Sequence, residues 1–211
     1  MQPPHRLNRT PLIAGSILCT LYVLLAIVVN TRALASPDLD ITLCLQNVLP
    51  RSLDLPASIP SLLGSAEVTI PIFVILVILS KPAHRTRLVA LFLLATLLEV
   101  LGKTMIDQPG PPILLHRYVF DITTPTGEFD TPYSFPSGHS LRAAFLIVLG
   151  IALIAQSTRR AAAKITATAL LLAAGAAMLV SRVYIGDHWT SDVVGGALLG
   201  AGLCLFAFLT D

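Results

Sequence analysis

The chain has 211 residues, of which 55% are hydrophobic and 12% are charged, and its formal net charge is +2. A soluble domain of this size needs more charge to cover its surface, so the mean hydropathy of +0.79 excludes an ordinary water-soluble protein. No basic stripe or aromatic platform accompanies the positive charge, so we expect no nucleic-acid partner.

Apolar stretches recur along the chain at lengths suited to a bilayer, whose hydrocarbon core takes roughly 20 helical residues to cross. Their unbroken apolar character predicts helices, because transmembrane β-strands show only a weak alternation. We therefore predict an all-α, polytopic integral membrane bundle of about six helices, forming one domain over residues 1–211. The predicted spans are residues 12–30, 61–80, 87–103, 138–156, 163–181 and 191–209.

The first span has some features of a cleaved signal peptide. Arg6 and Arg9 precede it, and Ala33-Leu34-Ala35 follows it before Ser36. Its apolar run is longer than the usual core of a signal peptide, which favours a retained helix. Residues 37–60 form an external stretch with room for a short interfacial helix, to which the sequence assigns no role.

Basic residues indicate the orientation, since Lys and Arg concentrate in cytoplasmic loops. With six spans, eight basic residues fall on the side of the termini and five on the other side. We therefore predict that both termini are cytoplasmic and that the loop of residues 104–136 is external. That loop is polar and rich in proline, and so long a loop in a compact chain indicates a lid or an entrance.

Three groups of polar residues fall on the predicted external side, where ionisable residues near lipid usually mark function. Lys103 ends the third span, Pro136-Ser137-Gly138-His139 begins the fourth, and Ser181–Asp192 joins the fifth to the sixth. Ser137 and Gly138 stand at a helix start, where free backbone N–H groups attract anions. Lys103 and Arg182 add fixed positive charge, so the three groups predict an anion site.

Two histidines in these groups have the chemistry of phosphoryl transfer. His188 and Asp192 are four residues apart, so on a helix they share one face. The carboxylate can hold the imidazole in one tautomer and leave the other nitrogen free to attack. His139 titrates near neutral pH and can protonate a leaving oxygen.

These residues resemble the type 2 phosphatidic acid phosphatase superfamily, whose pattern is K-x6-R-P, then P-S-G-H, then S-R-x5-H-x3-D. The second part is complete at Pro136–His139 and the third at Ser181–Asp192. The resemblance covers the chain from about residue 61 to its end and implies no metal and no other cofactor. It implies that His188 is the nucleophile and forms a phosphohistidine, that Asp192 orients it, that His139 is the general acid, and that Lys103, Ser137, Gly138 and Arg182 hold the phosphoryl oxygens.

The first part of the pattern is incomplete, because Gly110 stands where the arginine is expected after Lys103. Arg142 is a tentative substitute, since it follows His139 by three residues and an arginine within a span is costly unless it faces a partner. Arg117 in the external loop is a second candidate, and the absence of any substitute is a third reading.

The sequence thus predicts a cell-membrane enzyme with its active site on the external, periplasmic or extracellular, side. It would hydrolyse a phosphomonoester or diphosphate of a lipid or polyprenyl carrier. A lipid phosphotransferase using the same site and a non-catalytic lipid-binding protein are the alternatives. The lipid substrate and the oligomeric state stay open.

Other polar and aromatic residues receive structural interpretations. Glu99 is expected to pair with Lys103 one helical turn away. Tyr184 and Trp189 are expected to be interfacial anchors, and Asp187 is expected to have a loop or entrance role rather than a catalytic one. Solvated loop positions are predicted for His5, His84 and His116.

Overall fold

A computed structural model describes residues 9–117 and 131–209. All the regular secondary structure in these ranges is α-helix or 3-10 helix. The helices are α1 (Arg9–Asn30), α2 (Ala35–Val48), α3 (Asp54–Leu62), α4 (Ala66–Leu79), α5 (Pro82–Met105), α6 (Gly138–Gln156), α7 (Ala161–Tyr184) and α8 (Thr190–Leu205). Short 3-10 turns lie at Arg51–Leu53, Ile113–Leu115 and Phe206–Phe208. The all-α prediction is confirmed.

Five described helices, α1, α5, α6, α7 and α8 with its 3-10 extension, are long and apolar enough to span a membrane. A sixth span is a broken pair, in which the segment Arg51–Leu62 meets α4 at an angle of 42°. The predicted span over residues 61–80 thus includes the end of α3, the break after it and the whole of α4. The protein is a multi-pass membrane protein with five or six spans in the described part of the chain.

The break between α3 and α4 lies against the fourth predicted span. Gly64 stands in the break, and a Cβ built on it would lie 2.9 Å from the Cβ of His139. Ser65 is extended and begins α4 without a side-chain cap. The chain bends here because the backbone must pass close to His139, a tertiary requirement that a continuous apolar run does not reveal.

The helix α8 lies at the centre and presents glycines to its neighbours. A Cβ on Gly196 would lie 2.2 Å from the carbonyl oxygen of Ser137, just before α6, and one on Gly200 would lie 2.1 Å from that of Leu141 in α6. A Cβ on Gly202 would lie 2.8 Å from Sγ of Cys19 in α1, and one on Gly15 of α1 would lie 2.9 Å from the carbonyl oxygen of Gly202. These contacts place the backbones of α6 and α1 directly on α8, as small residues allow in lipid.

One half of the bundle, around the start of α5, holds an aromatic core. Phe73 and Phe92 stack with their ring centroids 4.1 Å apart, and Phe145 meets Phe92 edge-on at 5.3 Å. His84 is buried nearby, with its Nδ1 3.0 Å from the carbonyl oxygen of Ala207. The prediction of a solvated His84 was therefore wrong, and His5 lies outside the described residues.

Candidate active site

The ends of four helices meet at one end of the bundle. α5 ends just after Lys103, α6 begins at Gly138, and α7 and α8 are joined by the short segment that holds His188. Because these ends lie at the same level, the three polar groups of the sequence come together in one cluster. We call this cluster, with its cavity, the phosphate site.

His188 is buried and lies between two carboxylates. Its Nδ1 is 3.4 Å from Oδ2 of Asp192, and its Nε2 is 3.8 Å from Oδ2 of Asp187. Asp192 is fully buried, and its Oδ2 also accepts the backbone N–H of Trp189 at 3.0 Å. The carboxylate of Asp192 is thus fixed by a backbone donor and directed at one ring nitrogen.

Burial, and then the positive charges of Arg182, Lys103 and Arg142, lower the pKa of His188 well below its ordinary value. Each of these causes disfavours the imidazolium. The ring is therefore neutral at neutral pH, with one nitrogen carrying a proton and the other a lone pair. That state suits a nucleophile.

Glu99 lies at the centre of the cationic residues. Its carboxylate is 3.6 Å from Nζ of Lys103 and 3.2 Å from Nη1 of Arg142, and it is buried. A Cβ on Gly138 would lie 1.8 Å from Oε1 of Glu99, so the carboxylate rests against the first turn of α6. The expected Glu99–Lys103 pair is present, and Glu99 also holds Arg142 toward the interior of the protein.

Arg182 is buried and has partners on two sides. Its Nη1 donates to Oγ of Ser61 at 2.5 Å, and it forms an ion pair with Asp187. The segment Ile185–His188 therefore carries both the histidine and the carboxylate that pairs with Arg182. Asp187 lies in the loop and lines the cavity, in keeping with the predicted loop or entrance role, and it also pairs with Arg182.

Ser137 and His139 occupy the start of α6. Oγ of Ser137 accepts the backbone N–H of Ser140 at 3.4 Å, and its own N–H donates to the carbonyl oxygen of Asp192 at 3.0 Å. These contacts engage Ser137 in capping α6 and in joining it to α8, and its phosphate contact stays a prediction. His139 is partly buried and packs on Gly64.

Arg117 lies apart from this cluster. Its Nη2 donates to the carbonyl oxygen of Gln46 at 2.8 Å, and its guanidinium stands 5.2 Å from the ring centroid of Tyr184. Tyr184 is 1% exposed, and its hydroxyl donates to Oδ1 of Asp54 at 2.6 Å. The prediction of Tyr184 as an interfacial anchor was wrong, since this side chain is buried and joins α7 to the start of α3.

A polar cavity of about 490 Å³ opens beside His188. Lys103, Gly110, Asp187 and His188 line it, together with described residues at both ends of the external loop. Among the described residues, a Cβ on Gly110 would meet Cβ of Ser134 alone, at 3.7 Å, so this part of the chain leaves room for a longer side chain at position 110. The middle of the loop, residues 118–130, lies outside the described residues.

The two remaining aromatic and histidine predictions have mixed outcomes. Trp189 donates its Nε1–H to the carbonyl oxygen of Pro109 at 2.7 Å and so joins the site to the loop. His116 lies in the loop and is exposed, as the sequence predicted, and its Nε2 lies 3.2 Å from the carbonyl oxygen of Pro111.

Sequence reasoning missed several residues that support the site. Asp38 and Gln46 of α2, Asp54 and Ser61 of α3, and Gly64 all contact its loops or side chains. None belongs to a motif, and each partner lies far along the chain. Among the described residues, no group of three His, Cys, Asp or Glu side chains is placed to hold a metal ion.

The fold and the site define a multi-pass membrane protein with a buried histidine–carboxylate pair beside a cluster of positive charges. The sequence model of the PAP2 superfamily matches residues 84–211, and the chain belongs to that superfamily. This confirms the resemblance seen in the motifs.

Two solved structures and one curated protein are similar. Phosphatidylglycerophosphatase B of Haemophilus influenzae is 32% identical over 108 residues, which cover 49% of this chain and 40% of that protein. The first transmembrane PAP2 type phosphatidylglycerolphosphate phosphatase from Bacillus subtilis superposes with a TM-score of 0.72 at 24% identity, over 92% of this chain and 93% of that one. Aquifex aeolicus LpxE gives a TM-score of 0.60 at 24% identity, over 80% and 93% of the two chains. The structural likenesses establish the fold, and the match to the curated relative spans less than half of that relative.

Proposed function

We propose that this protein is a metal-independent lipid phosphate phosphatase that works through a phosphohistidine on His188. The observation that carries the proposal is the setting of that ring, with Nδ1 3.4 Å from the carboxylate of Asp192 and Nε2 3.8 Å from that of Asp187, beside a polar cavity that His188, Asp187 and Lys103 line. The names of the relatives, phosphatidylglycerophosphatase and phosphatidylglycerolphosphate phosphatase, support a phosphomonoester on a lipid as the substrate class.

In the first step, the lone pair of Nε2 of His188 attacks phosphorus, and the bond from phosphorus to the lipid oxygen breaks. His139 in its protonated form gives its proton to that oxygen, so a neutral lipid alcohol leaves. For a diphosphate substrate the leaving group is the lipid monophosphate. Asp192 stabilises the positive charge that develops on the imidazole, because its carboxylate faces Nδ1.

In the second step, water attacks the phosphohistidine. His139, now neutral, takes a proton from the water, the P–N bond breaks, and its electron pair returns to Nε2. Inorganic phosphate leaves, and His139 is protonated again for the next cycle. An acceptor alcohol in place of water would make the same site a phosphotransferase.

Fixed positive charge around the phosphoryl group is expected to contribute most of the rate enhancement. Lys103, Arg182 and the N–H of Gly138 are the proposed ligands, together with Ser137 as the motif implies. We propose that Arg142 takes the place of the motif arginine, at whose position this chain has Gly110. Its support is its inward direction, its bond to Glu99, and its positive charge acting on His188.

The site is proposed to face the periplasmic or extracellular side, with both termini in the cytoplasm. The support is the uneven distribution of Lys and Arg between the two sides of the bundle. A lipid of the outer leaflet then presents its head group at the level of His188. Polyprenyl diphosphates and glycerolipid phosphates both have the terminal group that this chemistry requires.

The test is phosphate release from phosphatidic acid, phosphatidylglycerophosphate and a polyprenyl diphosphate in detergent, with the metal chelator EDTA present. The wild-type chain is expected to release phosphate. When its reaction with ³²P-labelled substrate is quenched, the protein is expected to retain label that is acid-labile and base-stable. His188→Ala is expected to lose both, by a factor on the order of 10⁴ or more in rate.

Labelled acceptor without free phosphate would assign a phosphotransferase. Lipid binding by a chain that releases no phosphate and retains no label would assign a non-catalytic protein. Release that survives His188→Ala would overturn the mechanism.

A further inference from the structure

Asp38 is a buried carboxylate in α2, outside the residues that the superfamily model matches. It is 3% exposed, and it lies in the external segment to which the sequence assigned no role. A carboxylate removed from water is costly unless donors satisfy both of its oxygens. The position of those donors therefore shows what Asp38 does.

All the described hydrogen bonds to the Asp38 carboxylate come from the start of α8 or from the loop beside it. Oδ1 accepts the backbone N–H of Ser191 at 2.9 Å, and Oδ2 accepts the hydroxyl of Ser191 at 2.5 Å. Nε2 of Gln108 lies 3.3 Å from Oδ2 and 3.2 Å from Oγ of Ser191. Asp38, Ser191 and Gln108 form a closed buried network.

This network caps α8 from another helix. The first N–H groups of a helix have no partner within it, and negative charge is favourable there. Trp189 stands at the N-cap position, and its indole can donate a hydrogen bond but cannot accept one. Asp38 therefore supplies to Ser191 the acceptor that a Ser, Thr or Asp at the cap supplies in most helices.

The capped turn is the one that holds the proposed orienting carboxylate. Asp192 follows Ser191 directly, accepts the N–H of Trp189, and faces Nδ1 of His188. Its backbone oxygen also accepts the N–H of Ser137 at 3.0 Å. The direction of the Asp192 carboxylate thus depends on how the first turn of α8 is held.

We propose that Asp38 is a positioning residue, which fixes the first turn of α8 and through Asp192 the imidazole of His188. This inference rests on the proposed phosphatase function. Among the described residues, the carboxylate of Asp38 bonds to Ser191 and Gln108. We therefore expect a change at Asp38 to alter the rate of reaction and not lipid binding.

The test uses the full chain in detergent and the isosteric variant Asp38→Asn. Its amide oxygen can still accept the N–H of Ser191, but its NH₂ group replaces Oδ2 and confronts two donors. We expect kcat on phosphatidic acid to fall by about tenfold while KM stays within about twofold, as for loss of an interaction that orients a catalytic group. Asp40→Asn, an exposed carboxylate on the same helix, is the matched control and is expected to behave as wild type.

The double variant Asp38→Asn with Gln108→Glu reverses donor and acceptor within the network. It is expected to regain most of kcat, which a general loss of stability in Asp38→Asn would not allow. Wild-type kcat in Asp38→Asn would overturn the proposal. So would a raised KM at unchanged kcat, since that result would make Asp38 a substrate contact.

Amide hydrogen exchange separates this proposal from the proposed function. The amides of residues 190–193 are expected to exchange faster in Asp38→Asn than in Asp40→Asn, whether or not the protein releases phosphate. An inactive wild-type chain would refute the phosphatase function, and equal exchange in the two variants would refute the role of Asp38.

Discussion

The region from α5 to α8, including the segments between these helices, supplies every side chain that the proposed reaction uses. A second region, α2 and α3, supplies side chains that contact those residues or their loops. Lys103, Arg142, Arg182 and His188 lie in the first region, and the superfamily model covers all of it but the first residues of α5. Helices α2 and α3 make these contacts through Asp38, Gln46, Asp54 and Ser61. Most of the proposed reacting groups can therefore be read from motifs, while the groups that hold them belong to no motif.

The comparison predicts that the largest losses come from the first region. His139→Ala is expected to lower kcat by about 10²- to 10⁴-fold, because the leaving oxygen loses its proton donor. The matched control is His84→Ala, which removes a buried histidine near the opposite end of α5. The control is expected to lower the melting temperature but not the kcat of the folded protein. A His139→Ala chain that keeps more than a tenth of kcat would remove His139 from the mechanism.

Arg142→Ala is expected to lower kcat/KM by about 10²-fold, since a hydrogen-bonded charge on the phosphoryl group is lost. Adding Gly110→Arg to this variant is expected to restore much of the activity, because the space at Gly110 opens on the same cavity. Arg85→Ala, which removes an arginine bonded to a carbonyl of α4, is the control. Full activity of Arg142→Ala would show that no substitute for the missing arginine is required.

Ser61→Ala tests the second region directly. The hydroxyl of Ser61 accepts from Arg182 at 2.5 Å, and its removal is expected to lower kcat/KM by about tenfold through a raised KM. Ser58→Ala is the matched control, because its hydroxyl is also buried in α3 but donates only within that helix. Equal effects of the two substitutions would mean that α3 supports the fold and not the phosphate site.

The pH profile measures the coupling between the cationic residues and the nucleophile. Burial, and then Arg182, Lys103 and Arg142, lower the pKa of His188, so activity should persist below its ordinary value of 6.5 and fall only when the ring becomes protonated. Arg142→Gln removes one positive neighbour and is expected to move this acidic limb to higher pH. The shift should be less than about one unit, since burial remains. A shift to lower pH would contradict the assignment of the limb to His188.

The smallest effect is expected at the surface, where the residues just before the second region meet the loop. Arg32 pairs with Asp107 at 2.6 Å, and this hydrogen bond holds the pKa of Asp107 below its ordinary value. Both side chains are exposed, and exposed ion pairs contribute little. Arg32→Ala is expected to change kcat/KM by less than about twofold. A fivefold loss would give this surface contact a part in closing the site.

Local patterns were sufficient to predict some elements of the site. Ser137 followed by Gly138 predicted the start of α6, and that helix has the predicted bounds, because a serine cap and an apolar run determine both ends. The inward direction of Arg142 followed from the cost of a charge that faces lipid. In both cases the cause lies within a few residues of the effect.

Other features depend on partners that are distant along the chain. The bend at Gly64 exists because His139 lies against it, and the apolar run on which it falls gives no sign of this. Tyr184 resembles an interfacial aromatic until Asp54 and Arg117 are placed around it. Asp38 meets a residue 153 positions away, so no window of sequence contains both.

The glycines of α8 have a further consequence for the chemistry. At Gly196 and Gly200 the carbonyl oxygens of Ser137 and Leu141 occupy the space that a methyl group would need. The separation between the proposed nucleophile and its acid thus depends on the direct backbone contact between α6 and α8. One added carbon atom in that lipid-embedded seam would move His139 away from His188 while leaving every reacting residue in the sequence unchanged.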